Sequence, residues 1–498
     1  MALALLAQLT KYSRPGLQGL VGAVCGISLW TAGGQAVTQG YCRADLAGQI
    51  DAIAARPNLT QAHLGILVEH QGPTAADRPV VLERNSTRWF VPASTLKLLT
   101  TAAALQHLGP EFQVQTSVYT TQQPGQTTLY VIGRGDPTVT SAHLDELAQQ
   151  IAQQGIGHID QLWGYDGYFA GRAVHSNWEW EDVLAGYGAS ANGLILNRNA
   201  LGVTLHPTEV GQPLRVEWAD PTQASRWQIN NESRTVPAGE PLTADLGRDW
   251  SLPILHVFGD LSVDAGPDRF AIAITQPGDH FIDQFQYRLT QAGVTVDEAG
   301  LISDWPTSVL SEVATITSPP LIEWLPTINQ SSNNLFAEAL LKSLGQAAAN
   351  RAGVTDVTEA GTNAVKEILS EFGIEPNSYQ MVDGSGLSRH NLVTPETLVD
   401  TLQAMAHSPH RSTYRRSLAV AGEAGSLRSR FRNTPVQGQL QGKTGFVSNN
   451  ESLAGYLQPP NHPPVVFSIF LNNADLSATG MRQIIDEIVL NIAQLNDC

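Results

Sequence analysis

VPASTLKLLT, residues 91–100, is the stretch whose reading decides the fold. Pro92 and Ala93 open a helix, and Ser94 stands at its first turn. A serine there reads first as an N-cap, its hydroxyl answering a free backbone N–H. The same place offers unpaired N–H groups and a partial positive field that can stabilise an oxyanion. Lys97 follows one turn on, within reach of the Ser94 hydroxyl. Leu96 and Leu98 flank it, and apolar neighbours favour the neutral, basic form of an amine. Alone, the S-x-x-K pattern is weak, because about one chance match is expected in a chain of this length.

Two other clusters have the same double character. SSNN (331–334) places Ser332 and Asn334 at the start of a second predicted helix. It reads as a capping group, or as a hydroxyl that relays a proton beside an amide that holds a substrate peptide group. GKTGFV (442–447) places Lys443, Thr444 and Gly445 on a predicted strand. A solvated lysine beside a turn is the plain reading. The chemical one has Lys443 supply a positive charge and Thr444 donate to a carboxylate. Gly445 then leaves room for a substrate backbone at the strand edge.

Taken in order, S-x-x-K, S-x-N and K-T-G resemble the signature of penicillin-binding proteins and related β-lactamases. Ser94 and Ser332 are 238 residues apart, and Ser332 and Lys443 are 111 apart. The long first gap resembles the D-alanyl-D-alanine carboxypeptidase/endopeptidase family, the low-molecular-mass class C penicillin-binding proteins, whose peptidase domain is interrupted there by two further domains. VIGRGDPTV (131–139), DGSGLSRHNLVTP (383–395), GSLRSRF (425–431) and SLAGYL (452–457) match the family's texture. The resemblance runs over nearly all of 45–498 and is weakest in 206–272. It implies that Ser94 is the acylated nucleophile, Lys97 its base, and Ser332 a proton relay to the leaving amine. Asn334, Lys443, Thr444 and Gly445 would bind substrate, and the backbone N–H groups of Ser94 and Phe446 would form the oxyanion hole. Position 446 departs from the many members that carry threonine, so the carboxylate grip loses a hydroxyl there. Ser448 is a candidate substitute.

The order is helix, strands, helix; a mixed region; helices; three antiparallel strands; helix. This is an α+β chain. With the resemblance, it predicts a β-lactamase/transpeptidase-like serine-peptidase domain made of 43–110 and 310–498, with an antiparallel sheet and helices. An inserted α/β domain would take 111–205 and 273–309, and a small, mainly β domain 206–272. Lys11 and Arg14 precede an apolar stretch, and small residues end at Ala36, so 1–36 reads as a signal peptide, or else as an uncleaved anchor giving membrane association. Cys25 lies within it. Cys42 and Cys498 remain; in an oxidising compartment they pair as a disulfide or stay as two free thiols. First and last helices lying side by side on one sheet would bring them together.

Lys+Arg 29 against Asp+Glu 46 gives a net charge of −17, which argues against nucleic acid as a partner. No H-E-x-x-H or cysteine–histidine cluster suggests a metal, and no cofactor is implied. DGSGLS lacks the nucleophile elbow, and Gly384 and Gly386 read as a tight turn. GRGDPT lacks the third dinucleotide glycine, and His390 reads as a loop residue. WEWED (178–182) reads as an exposed acidic patch with partly buried tryptophans, or as aromatics offered to a glycan. The expected protein is a periplasmic or otherwise extracytoplasmic D,D-carboxypeptidase/endopeptidase. It would act on peptidoglycan stem peptides through a serine acyl-enzyme, with β-lactams as covalent inhibitors. A catalytically weak wall-binding scaffold and, further off, a β-lactamase are the alternatives.

Overall fold

Strands 450–457 and 465–472 are apolar on alternate positions of both faces, which demands a sheet covered on both sides. In the computed structural model, which describes residues 41–121, 125–306, 310–349 and 355–498, they form the middle of a six-stranded antiparallel sheet. Its order is Ala419–Val420, Leu440–Val447, Asn450–Leu457, Val465–Asn472, His63–His70, Val80–Arg84. Both ends of the chain therefore build one sheet. The segment read as a signal or anchor, with Cys25, lies outside the described residues.

The period-two alternation divides this sheet between two cores. Leu453, Leu457, Val465, Phe467 and Ile469 pack with the helices Arg43–Ala54 and Ala478–Ile492. Ala454, Tyr456, Val466 and Phe470 face the other way, onto Lys97–His107 and the helices around it. Residues 97 to 105 are all buried, which explains the unbroken apolar run. This helix is enclosed by Leu321–Asn329, Asn334–Ala349, Val357–Glu371 and Pro395–His407, so it has no polar face.

Cys42 and Cys498 are joined by a disulfide with Cα atoms 5.7 Å apart. The Tyr41 N–H donates to Gln494 O (2.8 Å) and the Asn496 N–H to Tyr41 O (2.9 Å) beside it. The bridge closes a sequence separation of 456 residues. Cys42→Ser is expected to lower stability by about 2–4 kcal/mol, read as a lower thermal midpoint that reductant no longer changes. The fold at low temperature should persist, since the two terminal helices keep their apolar contacts.

A second sheet, five-stranded and mixed, has the order Thr295–Ile302, His158–Tyr165, Thr128–Ile132, Gln115–Thr121, Leu310–Thr317. Helices Ser141–Gln153 and Pro277–Gln291 share its core. Leu310–Thr317 pairs with Gln115–Thr121, so this sheet holds the chain until Thr317, later than the sequence reading placed the return at 310. Likewise Ala200–His206 pairs with Arg215–Trp218 and Asp268–Ala273. It lies with the small β region rather than before it. An alternating stretch fixes which face is buried, not which strand comes alongside. Between 206 and 272 no α-helix occurs among the described residues.

Candidate active site

Ser94 does not cap its helix. It sits on the 3-10 turn Ala93–Leu96 that runs straight into Lys97–His107, and Thr95 Oγ1, not Ser94, turns back to Pro92 O (2.7 Å). The Ser94 hydroxyl is left for Lys97, whose Nζ lies 2.8 Å away. Lys97 is wholly buried. Its amine also donates to Asn334 Oδ1 (2.7 Å) and to the Ser385 carbonyl (2.6 Å). Burial pushes its pKa down to about 7, against the pull of the Asp383 and Glu338 carboxylates.

Capping is divided from chemistry in the second cluster too. Asn333 Oδ1 accepts from the Phe336 N–H (3.0 Å) and so starts the helix. Ser332, held at φ +56°, and Asn334 are thereby free to point elsewhere. Ser332 Oγ accepts from Lys443 Nζ (2.8 Å). Asn334 donates its amide to Tyr187 O (2.9 Å), which fixes the amide so that its oxygen faces Lys97.

On strand Leu440–Val447, Lys443 is fully buried and also donates to Thr444 O (2.8 Å). Burial first, and then the neighbouring Lys97, hold its amine well below the usual lysine range, opposed by Glu451. Thr444 Oγ1 donates to Ser426 Oγ (2.7 Å). Gly445 lies against the Ala93–Leu96 turn: a Cβ there would stand 2.5 Å from Pro92 O and 3.0 Å from Ser94 N. That contact places the third cluster beside the first. Phe446 alternates to the opposite face. Its ring packs on the terminal-helix core with the Arg482 guanidinium 5.5 Å from its centroid. Ser448 is exposed in the hairpin turn, its carbonyl accepting from Asn450 (2.8 Å).

The sequence reading missed the loop that completes the site. Asp383 is buried and accepts from Gly386 N, Ser388 N, Asn391 Nδ2 and Trp178 Nε1 at 2.7–2.9 Å. Glu338 Oε1 accepts from Gly384 N (3.0 Å) and Ser385 N (2.8 Å). Burial, with Asp383 nearby, raises Glu338 to about 7. The two carboxylates fold residues 383–391 so that the Ser385 carbonyl meets Lys97. The D-G-S-G spacing showed a turn, but no side-chain pattern announces that a main-chain oxygen faces a lysine. Ser426, beside Thr444, was also unread.

A neutral Lys97 has two N–H groups and two acceptors that cannot donate, Asn334 Oδ1 and Ser385 O. Its lone pair is then left for the Ser94 O–H. Such a set can activate a hydroxyl for attack on a carbonyl without a metal ligand sphere. One group with metal-ligand spacing among the described residues, His158, Asp160 and Asp297, belongs to the five-stranded sheet rather than to this cleft.

The family model described as "D-Ala-D-Ala carboxypeptidase 3 (S13) family" matches residues 46–495. The D-alanyl-D-alanine carboxypeptidase of Actinomadura sp. (strain R39) is 33% identical over 470 residues, covering 90% of this chain and 85% of that protein. The crystal structure of penicillin-binding protein 4 (dacB) from Haemophilus influenzae superposes with a TM-score of 0.75 at 23% identity, over 89% of this chain and 98% of that one. The same protein complexed with a novel β-lactam gives 0.70 at 22% identity, with the same coverage.

Proposed function

The chain belongs to the D-Ala-D-Ala carboxypeptidase 3 (S13) family, and from that premise we propose that Ser94 is its acylated nucleophile and Lys97 its general base. The protein is a serine-type carboxypeptidase, a hydrolase. Ser94 Oγ attacks the carbonyl carbon of the penultimate D-alanine while Lys97 takes the hydroxyl proton. The C–N bond breaks, and terminal D-alanine leaves with a proton passed through Ser332, whose hydroxyl is bonded to Lys443. Water then hydrolyses the Ser94 ester. Asn334 holds a substrate peptide group, and the backbone N–H groups of Ser94 and Phe446 take the oxyanion, commonly the largest contribution to such catalysis. Lys443, Thr444 and Ser426 receive the substrate carboxylate, whose arrival favours the protonated form of Lys443. Gly445 gives the substrate backbone space. The observation that carries this reading is the Lys97 amine bonded at once to Ser94 Oγ, Asn334 Oδ1 and Ser385 O.

Three extensions go with it. The enzyme is exported, with 1–36 as signal or anchor. It cleaves cross-links of peptidoglycan as well as terminal D-alanine, and β-lactams acylate Ser94. The Cys42–Cys498 disulfide supports an oxidising compartment, and no helix among the described residues is long and apolar enough to cross a membrane. Residues 111–317 would form the domains inserted into the peptidase. The test is incubation with purified muropeptides and with a fluorescent penicillin, followed by mass spectrometry of products and protein. Released D-alanine and a penicilloyl adduct on the Ser94 peptide are expected; an unmodified Ser94 with no released D-alanine refutes the assignment.

The pH profile gives a second check. Because Lys97 must be neutral to accept a proton, kcat/KM should rise with pH through about 7, the value to which burial lowers it. Asp383 and Glu338 hold that value up. Asp383→Asn removes the carboxylate that pulls hardest on the Lys97 amine, so its acid limb should move to lower pH. A limb unchanged in Asp383→Asn would contradict this electrostatic coupling.

A further inference from the structure

We propose that Trp180 and Trp250 form a saccharide-binding platform beside the catalytic cleft, taking a pyranose ring of the glycan strand that carries the stem peptide. The inference rests on the peptidase reading and names the second part of its substrate.

Both indoles are 56% exposed. Their rings stack with centroids 6.2 Å apart and planes 28° from parallel. They come from different parts of the chain, Trp180 from the short helix Trp180–Leu184 and Trp250 from the turn after strand Asp245–Arg248. The pair is held in place. Arg248 is nearly buried and donates to Asp249 O (2.9 Å), Trp250 O (3.3 Å) and Val183 O (3.4 Å), tying the turn to the helix. Asp249 Oδ1 accepts from Ser251 N and Leu252 N, both at 3.0 Å.

The same segment is anchored to the active site on either side of Trp180. Trp178 Nε1 donates to Asp383 Oδ2 (2.9 Å), on the loop that meets Lys97. Tyr187 O accepts from Asn334 (2.9 Å), and Tyr187 OH donates to Asp182 Oδ1 (2.9 Å). Glu179 pairs with Arg389 at 2.8 Å. The platform is therefore continuous with the cleft through fixed contacts.

The chemistry selects the occupant. A flat indole face accepts the C–H face of a sugar ring, and exposed carboxylates such as Glu181 accept from its hydroxyls. Glu179, Glu181 and Asp182 around the rings, in a chain of net charge −17, disfavour an anionic membrane surface or polyanion. A sugar joined covalently to the bound peptide also arrives at high effective concentration.

The test compares kcat/KM on a free stem peptide and on the same peptide attached to its disaccharide, for the parent, Trp180→Ala and Trp250→Ala. The parent should prefer the disaccharide form by about tenfold, mainly in KM. Each alanine variant should lose most of that preference and keep its rate on the free peptide, and Trp180→Tyr should restore part of it. Equal rates on the two substrates in the parent, or variants that lose both activities alike, would overturn the proposal, the latter making the stack a structural clasp. A separate fluorescence titration with peptide-free disaccharide should saturate in the parent and not in Trp180→Ala; absence of any saturable change counts against the platform. If neither peptide is hydrolysed and Ser94 is not labelled, the peptidase reading fails, and the titration still decides this one.

Discussion

Ser94→Ala should give a folded protein that takes no label from fluorescent penicillin and releases D-alanine at least about 10⁴-fold more slowly. The reason is local. In the proposed reaction the hydroxyl is the atom that forms the ester, and among the described residues no second hydroxyl bonds the Lys97 amine. Folding should survive, because the turn is held by other atoms. Pro92 O accepts from Thr95 Oγ1 and Ser452 Oγ, both at 2.7 Å, and Leu96, Leu98 and Leu99 are fully buried. Lys97 keeps two of its three partners. The measurements are in-gel fluorescence, amino-acid release and a thermal melt on the same preparation. Labelling that persists in the alanine variant would move the nucleophile elsewhere.

Gly445→Ala should also be damaging, though less so, without touching a reacting atom. The added methyl would overlap Ser452 Oγ and stand 2.5 Å from Pro92 O and 3.0 Å from Ser94 N. Two of those contacts are backbone, so something must shift. The catalytic turn cannot retreat, since on its far side Gly386, at φ +77°, comes so close to Ala93 O that it too has no room for a methyl. Ala93 itself is held at φ +49°. The methyl therefore displaces Ser94 relative to Lys97 or opens the strand. A displacement of this order costs about 10²-fold in kcat/KM and overpacking about 1–3 kcal/mol in stability. Penicillin acylation rates and thermal melts measure the two separately. Gly48→Ala, where nothing lies within 4 Å of the new Cβ, is the control and should leave acylation unchanged. A Gly445→Ala enzyme with parental acylation would show that the strand yields freely.

What the sequence disclosed depended on how much chemistry a side chain carries. Ser94 and Lys97 were visible because a nucleophile and its base must lie one helical turn apart, and Lys443 through Gly445 because charge, hydroxyl and absent side chain follow in a row. Ser385 was not, because it acts through a main-chain oxygen, and any residue supplies one. Asp383 and Glu338 were hidden in the same way, since they act by folding that loop. Tyr187 also contributes a carbonyl. Strand alternation puts Phe446 on the face of Thr444, but the local pattern does not name Arg482, which its ring meets, as a neighbour. The three central strands could be read from their composition. Ala200–His206 and Leu310–Thr317 were recognisable as strands, but their neighbours come from distant segments that local pattern does not name.

The pairing of His63–His70 with Val465–Asn472 also sets the order of events during biosynthesis. The first sheet strand leaves the ribosome some 400 residues before its partner, and closing so long a loop is slow. Until Val465–Asn472 is made, His63–His70 has only Val80–Arg84 to pair with. Loss of the last strand and helix would leave two buried-type strands without a neighbour, an invitation to aggregation rather than to a smaller working enzyme.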